Sequence, residues 1–233
     1  MYRPSFPWGA LKYEECCCPN VAQTCGSFNG RGTGTCPDSG GFTVRYEHGA
    51  CPMTELAFWE CLYTAGHDAA ALQRQDSGWL LHGTAVFRHD DGPACVNYAV
   101  EIDAGWQSRR GSVRGWLAGQ RFDHVIERRD DGWYLDGHTH GLAHLVDLDF
   151  GFTPATNMQQ LRRVALQPGQ AADIPVVWFD LKQTSLIELP QHYACLDGEA
   201  YRYASPQGPY EAVLEIAPNG FASLYPELWR MAA

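Results

Sequence analysis

The sequence predicts an all-β, mainly antiparallel fold with one short helix. Three observations predict it. Residues 72–83, LQRQDSGWLLHG, align with residues 126–137, IERRDDGWYLDG, and each copy reads as a strand, an Asp-x-Gly turn and a second strand that carries a tryptophan. Val96, Tyr98, Val100 and Ile102 alternate with Asn97, Ala99, Glu101 and Asp103, the period of a half-buried strand. Only Thr153-Pro154 offers a well-formed helix start, with a hydroxyl for the N-cap and proline for the first helical position.

The elements follow in order. In the repeated hairpins Gly78 and Gly132 supply positive φ, and Trp79 and Trp133 stand at matched places after the turn. Phe122, His124 and Ile126 alternate with Asp123, Val125 and Glu127. Val146, Leu148 and Phe150 alternate with Asp147 and Asp149, which puts both carboxylates on one strand face. Gly151 ends that strand. Helix is expected after Thr153, with Arg162 and Arg163 in its last turn, where cations are favoured. Ile174–Phe179 is an apolar run around Pro175, suited to an edge or bulge. Thr184–Leu189, Glu199–Ala204 and Pro209–Ala217 read as further strands, and Asn219-Gly220 as a third hairpin turn. Pro226–Met231 is the second place where a helix is possible. Hairpins at regular spacing imply one continuous meander.

Composition bounds the function. A chain of 233 residues, 45% of them hydrophobic, can bury a large β core, and a net charge of -10 argues against nucleic acid and against anionic membrane surfaces. No apolar span reaches membrane length, so stable membrane insertion is not expected. Residues 1–52 differ from the rest. They hold six of the nine cysteines, are rich in Gly, Pro and Ser, and their charges cancel. We expect 1–52 to be a disordered or non-native N-terminal extension, with Met53 as the natural start, and 53–233 to be the folded domain. The rival is a cysteine-rich tail that binds metal or a partner. With no CxxC, no apolar leader and no lipoprotein box, the expectation is a cytoplasmic protein with reduced thiols and without metal or other cofactor.

Four groups of residues could carry chemistry. Asp147 and Asp149 with Arg162 and Arg163 read either as a polar rim for sugar hydroxyls or as an internal ion-pair network. Thr156 and Asn157 could serve a ligand or the local backbone. Trp106, Trp178 and Tyr203, with Trp116, Trp133, Tyr201 and Trp229, could offer faces to a sugar ring and walls to an acyl chain, or simply fill the core. His138, His140 and His144 could form a metal site with a nearby carboxylate, or a solvated strand edge. Nucleophilic catalysis lacks support, since there is no GxSxG elbow, and GxGxxG or a P-loop follows no strand. Helix geometry separates adjacent residues by roughly 100°. Arg162 flanks the apolar side marked by Met158 and Leu161, so we assign it the buried carboxylate contact and give Arg163 the more exposed role.

The run Val146–Arg163, VDLDFGFTPATNMQQLRR, resembles the signature of a bacterial family described as putative glycolipid-binding proteins. The matching residues are Asp147, Asp149, Gly151, Phe152, Thr153, Pro154, Thr156, Asn157, Arg162 and Arg163. The closing Tyr225-Pro226-Glu227-Leu228-Trp229-Arg230 and the paired DxGWxLxG element are similar to the family as well. The resemblance covers Met53 to the C-terminus. It implies a spiral β-roll, a long sheet wrapped around one short helix, and homodimers. It implies glycolipid binding by analogy of fold. The reading is a non-enzymatic binding protein for a small amphiphile such as a glycolipid, with Asp147, Asp149, Thr156, Asn157, Arg162, Arg163, Trp106, Trp178 and Tyr203 as its ligand-binding residues and no catalytic residue. The alternative is a hydrolase of glycosyl or lipid ester bonds that uses Asp147 or Asp149, whose Cα separation of about 6–7 Å on one strand resembles glycosidase carboxyl spacings.

Overall fold

The computed structural model describes residues 54–205 and 210–232. The expectations for residues 1–52 fall outside the described residues. Residues Cys51–Ala233 group as one compact unit.

The first half is an antiparallel meander: β1 (Thr54–Cys61), β2 (Gly66–Gln75), β3 (Gly78–His89), β4 (Gly92–Asp103), β5 (Ser108–Leu117), β6 (Gln120–Arg129), β7 (Gly132–Leu135) and β8 (His138–Thr139). Next come β9 (Leu148–Phe150), helix α1 (Asn157–Val164), β10 (Ala171–Asp173), β11 (Val176–Phe179) and β12 (Ile187–Leu189). A second meander closes the chain: β13 (His192–Cys195), β14 (Ala200–Ser205), β15 (Tyr210–Ile216), β16 (Ala222–Tyr225) and β17 (Trp229–Met231).

The two meanders join into one sheet because β17 zips onto β1, with Cys61 opposite Trp229 and Trp59 opposite Met231. The order β10-β13-β14-β15-β16-β17-β1-β2-β3-β4-β5-β6-β7-β8 gives fourteen strands in an open sheet. Alternation sets its two faces. In β4, Ala94, Val96, Tyr98, Val100 and Ile102 are buried, and in β1 Ala57, Trp59 and Cys61 are buried while Leu56 and Phe58 are exposed. Two buried indoles satisfy their N–H on distant carbonyls: Trp59 donates to Ala222 at 2.7 Å and Trp133 to Leu145 at 3.0 Å.

The inner face holds a small sheet, β12-β11-β9, and α1. The helix residues Asn157, Met158, Gln159, Gln160 and Leu161 are all buried. A surface helix would expose one face, so a helix buried this way is an interior element. The all-β, mainly antiparallel fold with one short helix is therefore the observed one.

The repeat is also present. Gly78 and Gly132 have φ of 151° and 139°, and each follows a two-residue turn. Trp79 sits opposite Arg74 and Trp133 opposite Arg128. The surroundings differ: Trp133 is fully buried, whereas Trp79 is half-buried and stacks on Trp106 at 4.8 Å.

Three local expectations are corrected. Helix α1 begins at Asn157, with Thr156 rather than Thr153 at the N-cap position. The Thr153 hydroxyl is drawn away to Asp68, and that of Thr156 to Asp149, so neither caps the helix. Pro226–Met231 is not helical. Glu227 takes a left-handed φ of 63° in a tight turn, and β17 gains ladder bonds to both β16 and β1. The apolar run after Pro175 is the central strand of the small sheet and not an edge, because proline lies just before β11, where a missing N–H costs no ladder bond.

Candidate functional site

A cleft of about 590 Å³ opens between the small sheet and the C-terminal strands of the large one. Strand register builds its first wall. Asp149 in β9 pairs with Trp178 in β11, and Trp178 pairs with Ile187 in β12, so all three side chains fall on one face of the small sheet. Leu189, opposite Val176, shares that face. The opposing wall is aromatic: Tyr203, Tyr210, Tyr225 and Trp229. Their rings form a chain, with centroids 6.0 Å apart for Tyr203–Tyr210, 5.6 Å for Tyr203–Tyr225 and 5.4 Å for Tyr210–Tyr225. The segment between β9 and α1 makes the floor, through Gly151, Thr153, Pro154 and Asn157.

Beneath the floor lies a buried polar network. Asp149 accepts from Thr156 at 2.5 Å and from Gln191 at 2.7 Å. Tyr193 donates to Gln191 at 3.1 Å and accepts from Asn157 at 3.1 Å. The network therefore starts and ends on two groups that reach the cleft, Asp149 and Asn157. Burial pushes the Asp149 carboxyl up to about 6, against the pull of these donors. A second buried carboxylate, Asp68, stands behind Thr153. It accepts from the Thr153 hydroxyl and from Tyr98 at 2.9 and 3.1 Å, and burial pushes it up to about 6 as well. Gly83 makes room for this arrangement, since a Cβ there would lie 2.3 Å from the Tyr98 oxygen. Tyr203 and Tyr210 are both pushed up to about 12, first by burial and then by neighbouring acidic or phenolic groups.

Of the nine residues expected from sequence to bind a ligand, Asp149, Asn157, Trp178 and Tyr203 line the cleft. Thr156 supports it by bonding Asp149 and by accepting the Phe150 N–H at 3.1 Å. Asp147 and Arg163 pair with each other beside it, Nε to Oδ1 at 3.0 Å and Nη2 to Oδ2 at 2.5 Å. Arg162 turns to Glu55, to the Asn219 carbonyl at 2.6 Å and to the face of Trp106 at 4.8 Å. The expected roles of the two arginines are thus exchanged. Helix α1 is buried on more than its apolar side, and the side of Arg163 faces β9 while that of Arg162 faces β1 and the β15–β16 turn. Trp106 belongs to a stack in which Arg74 covers Trp79 and Arg162 covers Trp106. The histidines disperse: His138 is exposed, His140 accepts the Leu186 N–H at 3.4 Å, and His144 meets Glu188 at 2.9 Å. Among the described residues no group of three or more His, Cys, Asp or Glu is placed to hold a metal ion.

The family model described as "Putative glycolipid-binding" matches residues 56–231. The chain belongs to that family. A solved structure of similar fold is a DUF1089 family protein from Pseudomonas aeruginosa, with a TM-score of 0.61 and 24% identity over 70% of this chain and 91% of that one. No curated protein matches the chain.

In this chain of the putative glycolipid-binding family, the sequence reading did not single out several cleft residues. Gly151, Thr153 and Tyr225 lie in the very motifs that carry the resemblance, so their place in the signature was the available signal, while Trp229 was already among the candidate aromatics. Gln191, Tyr193 and Asp68 carry no local signal. Asp147 is fully buried and held by Arg163, so the two carboxylates are not presented together to the cleft.

Proposed function

We propose that this chain is a non-enzymatic binding protein for a small amphiphile, and that the cleft is its binding site. One observation carries the reading: an apolar, aromatic-walled cleft of about 590 Å³ ends on a few convergent polar groups, Asp149, Thr153 and Asn157. That is the pattern of a site that orients a polar head and covers an apolar tail. A glycolipid, the ligand in the family description, fits this chemistry. Aromatic faces stack on sugar rings, and the carboxylate and amide bond hydroxyls. Among the described residues no helix is long and apolar enough to cross a membrane. We further propose a homodimer, supported by the exposed Leu56, Phe58 and Val86 on the outer sheet face, and a cytoplasmic location, supported by the free thiols of Cys61, Cys95 and Cys195.

The test is native mass spectrometry of protein purified from its own host, followed by calorimetric titration with n-octyl glucoside. Co-purifying lipid, together with glucoside binding that Trp178→Ala abolishes while the fold is retained, is the expected result. No lipid and no heat of binding would overturn the reading.

A further inference from the structure

The charges around the cleft are one-sided. Among the described residues no Arg, Lys or His lines it. The two arginines that sequence places beside it are already engaged: Arg163 holds Asp147, and Arg162 holds Glu55 and covers Trp106. Asp149 therefore reaches the cleft with neutral partners only, the Thr156 hydroxyl, the Gln191 amide and the Phe150 backbone. Its charge helps raise the hydroxyls of Tyr193, Tyr203 and Tyr225, which burial raises first, and Glu227 does the same to Tyr210. Asp68 adds a second acidic group behind Thr153. Burial raises the Asp149 carboxyl, and only its neutral donors oppose that rise; among the described residues no cation stands beside it.

An anionic head would meet like charge here and no donor cation, so phosphate, sulfate and carboxylate heads are disfavoured. A neutral sugar would satisfy hydrogen bonds but leave the buried charge uncompensated. A cation would satisfy the charge, and it would also meet the electron-rich rings of Tyr203, Tyr210, Tyr225, Trp178 and Trp229, which line the same cleft. We propose that the head group taken by this cleft is an ammonium, primary or quaternary, seated between Asp149 and the Tyr203–Tyr210–Tyr225 rings. The proposal rests on the reading of the cleft as an amphiphile site, and it specifies the charge of the head.

The experiment compares n-octyltrimethylammonium, n-octyl glucoside and n-octyl sulfate, which share one tail, on the full chain below their micellar concentrations by calorimetry. The ammonium should bind about tenfold tighter than the glucoside, the factor expected from one cation–π or ion-pair contact, and the sulfate should not bind. Asp149→Asn and, separately, Tyr225→Leu should each weaken ammonium binding far more than glucoside binding, so that the two affinities converge. Tyr225→Leu leaves the network of Asp149, Gln191 and Tyr193 intact, so it stays informative if Asp149→Asn unfolds. If the glucoside binds as tightly as the ammonium, the ammonium proposal fails and the amphiphile reading stands. Ammonium binding that both variants leave unchanged would place the cation on the acidic surface and also overturn the proposal. If none of the three binds, the amphiphile reading itself fails.

Discussion

Arg163 closes on Asp147 through both Nε and Nη2, and the carboxylate it holds is fully buried. Arg162, one residue earlier, meets Glu55 at a position where both side chains are about a quarter exposed, 24% and 23%. Removing one partner of a buried pair leaves an uncompensated charge and costs about 3–5 kcal/mol. Arg163 is itself 26% exposed, so the contrast lies in the carboxylates, and the Arg162–Glu55 pair, a quarter exposed on both sides and with one ring contact, is worth about 1–2 kcal/mol. Arg163→Ala should therefore destabilise more than Arg162→Ala in urea unfolding. Equal midpoints, or the opposite order, would show that the Asp147 contact is not the stronger one.

Acidification should stabilise the domain over part of the pH range. Burial raises Asp68 and Asp149 to about 6, and Asp147 and Asp180 are raised too. A carboxyl raised in the folded state favours the protonated protein. That stabilisation is complete below the ordinary Asp value of about 3.9 and is lost as pH climbs through about 6. A rise of this size corresponds to about 3 kcal/mol per group between its two protonation states. The melting temperature should be higher at pH 5 than at pH 8, and Asp68→Asn should flatten the dependence. A wild-type profile that falls steadily from pH 8 to pH 5 would contradict the role given to these groups.

Gly151 is constrained by a neighbour rather than by its backbone. It is not among the glycines with positive φ, but a Cβ there would lie 2.7 Å from the Trp178 ring. Gly151→Ala should shift the indole and cost about 1–3 kcal/mol, the usual range for overpacking. In a Trp178→Leu background most of that cost should vanish. A double-mutant cycle that shows simple additivity would mean the two positions are not in contact.

The repeated hairpin glycines have both constraints at once. A Cβ would lie 2.1 Å from the Ile102 carbonyl at Gly78 and 2.3 Å from the Gly141 carbonyl at Gly132, and both φ values are positive. Gly78→Ala and Gly132→Ala should each cost more than about 2 kcal/mol, because backbone cannot move aside as a flexible side chain can. Near-wild-type melting of either variant would remove the close approach from the account.

Deleting residues 1–52 should change stability by no more than about 1 kcal/mol, since a segment without periodic apolar faces contributes little to a neighbouring core. Thermal melting of the chain from Met53 onward checks this, and loss of soluble protein would make the cysteine-rich segment part of the fold.

The sequence by itself determined the all-β class, the repeated hairpins, the helix after Thr153 and the family, because alternation, turn residues and motif strings are local and each lies within one short stretch of chain. It also determined that Asp149, Asn157, Trp178 and Tyr203 are chemically suited to a binding site. Only the tertiary structure decided which side chains meet. Asp149 finds Gln191 42 positions away, Thr153 finds Asp68 across 85, and Arg162 finds Glu55 across 107. The exchange of the two arginines has the same origin. Sequence spacing gives the angle between neighbours on a helix, but the elements facing each side are chosen by the closure of β17 on β1 and by the parallel pairing of β9 with β11. Those pairings join residues far apart in the chain, and a pleated sheet turns each such register into a fixed set of neighbours, so the aromatic cleft exists only once the open sheet has wrapped around the helix.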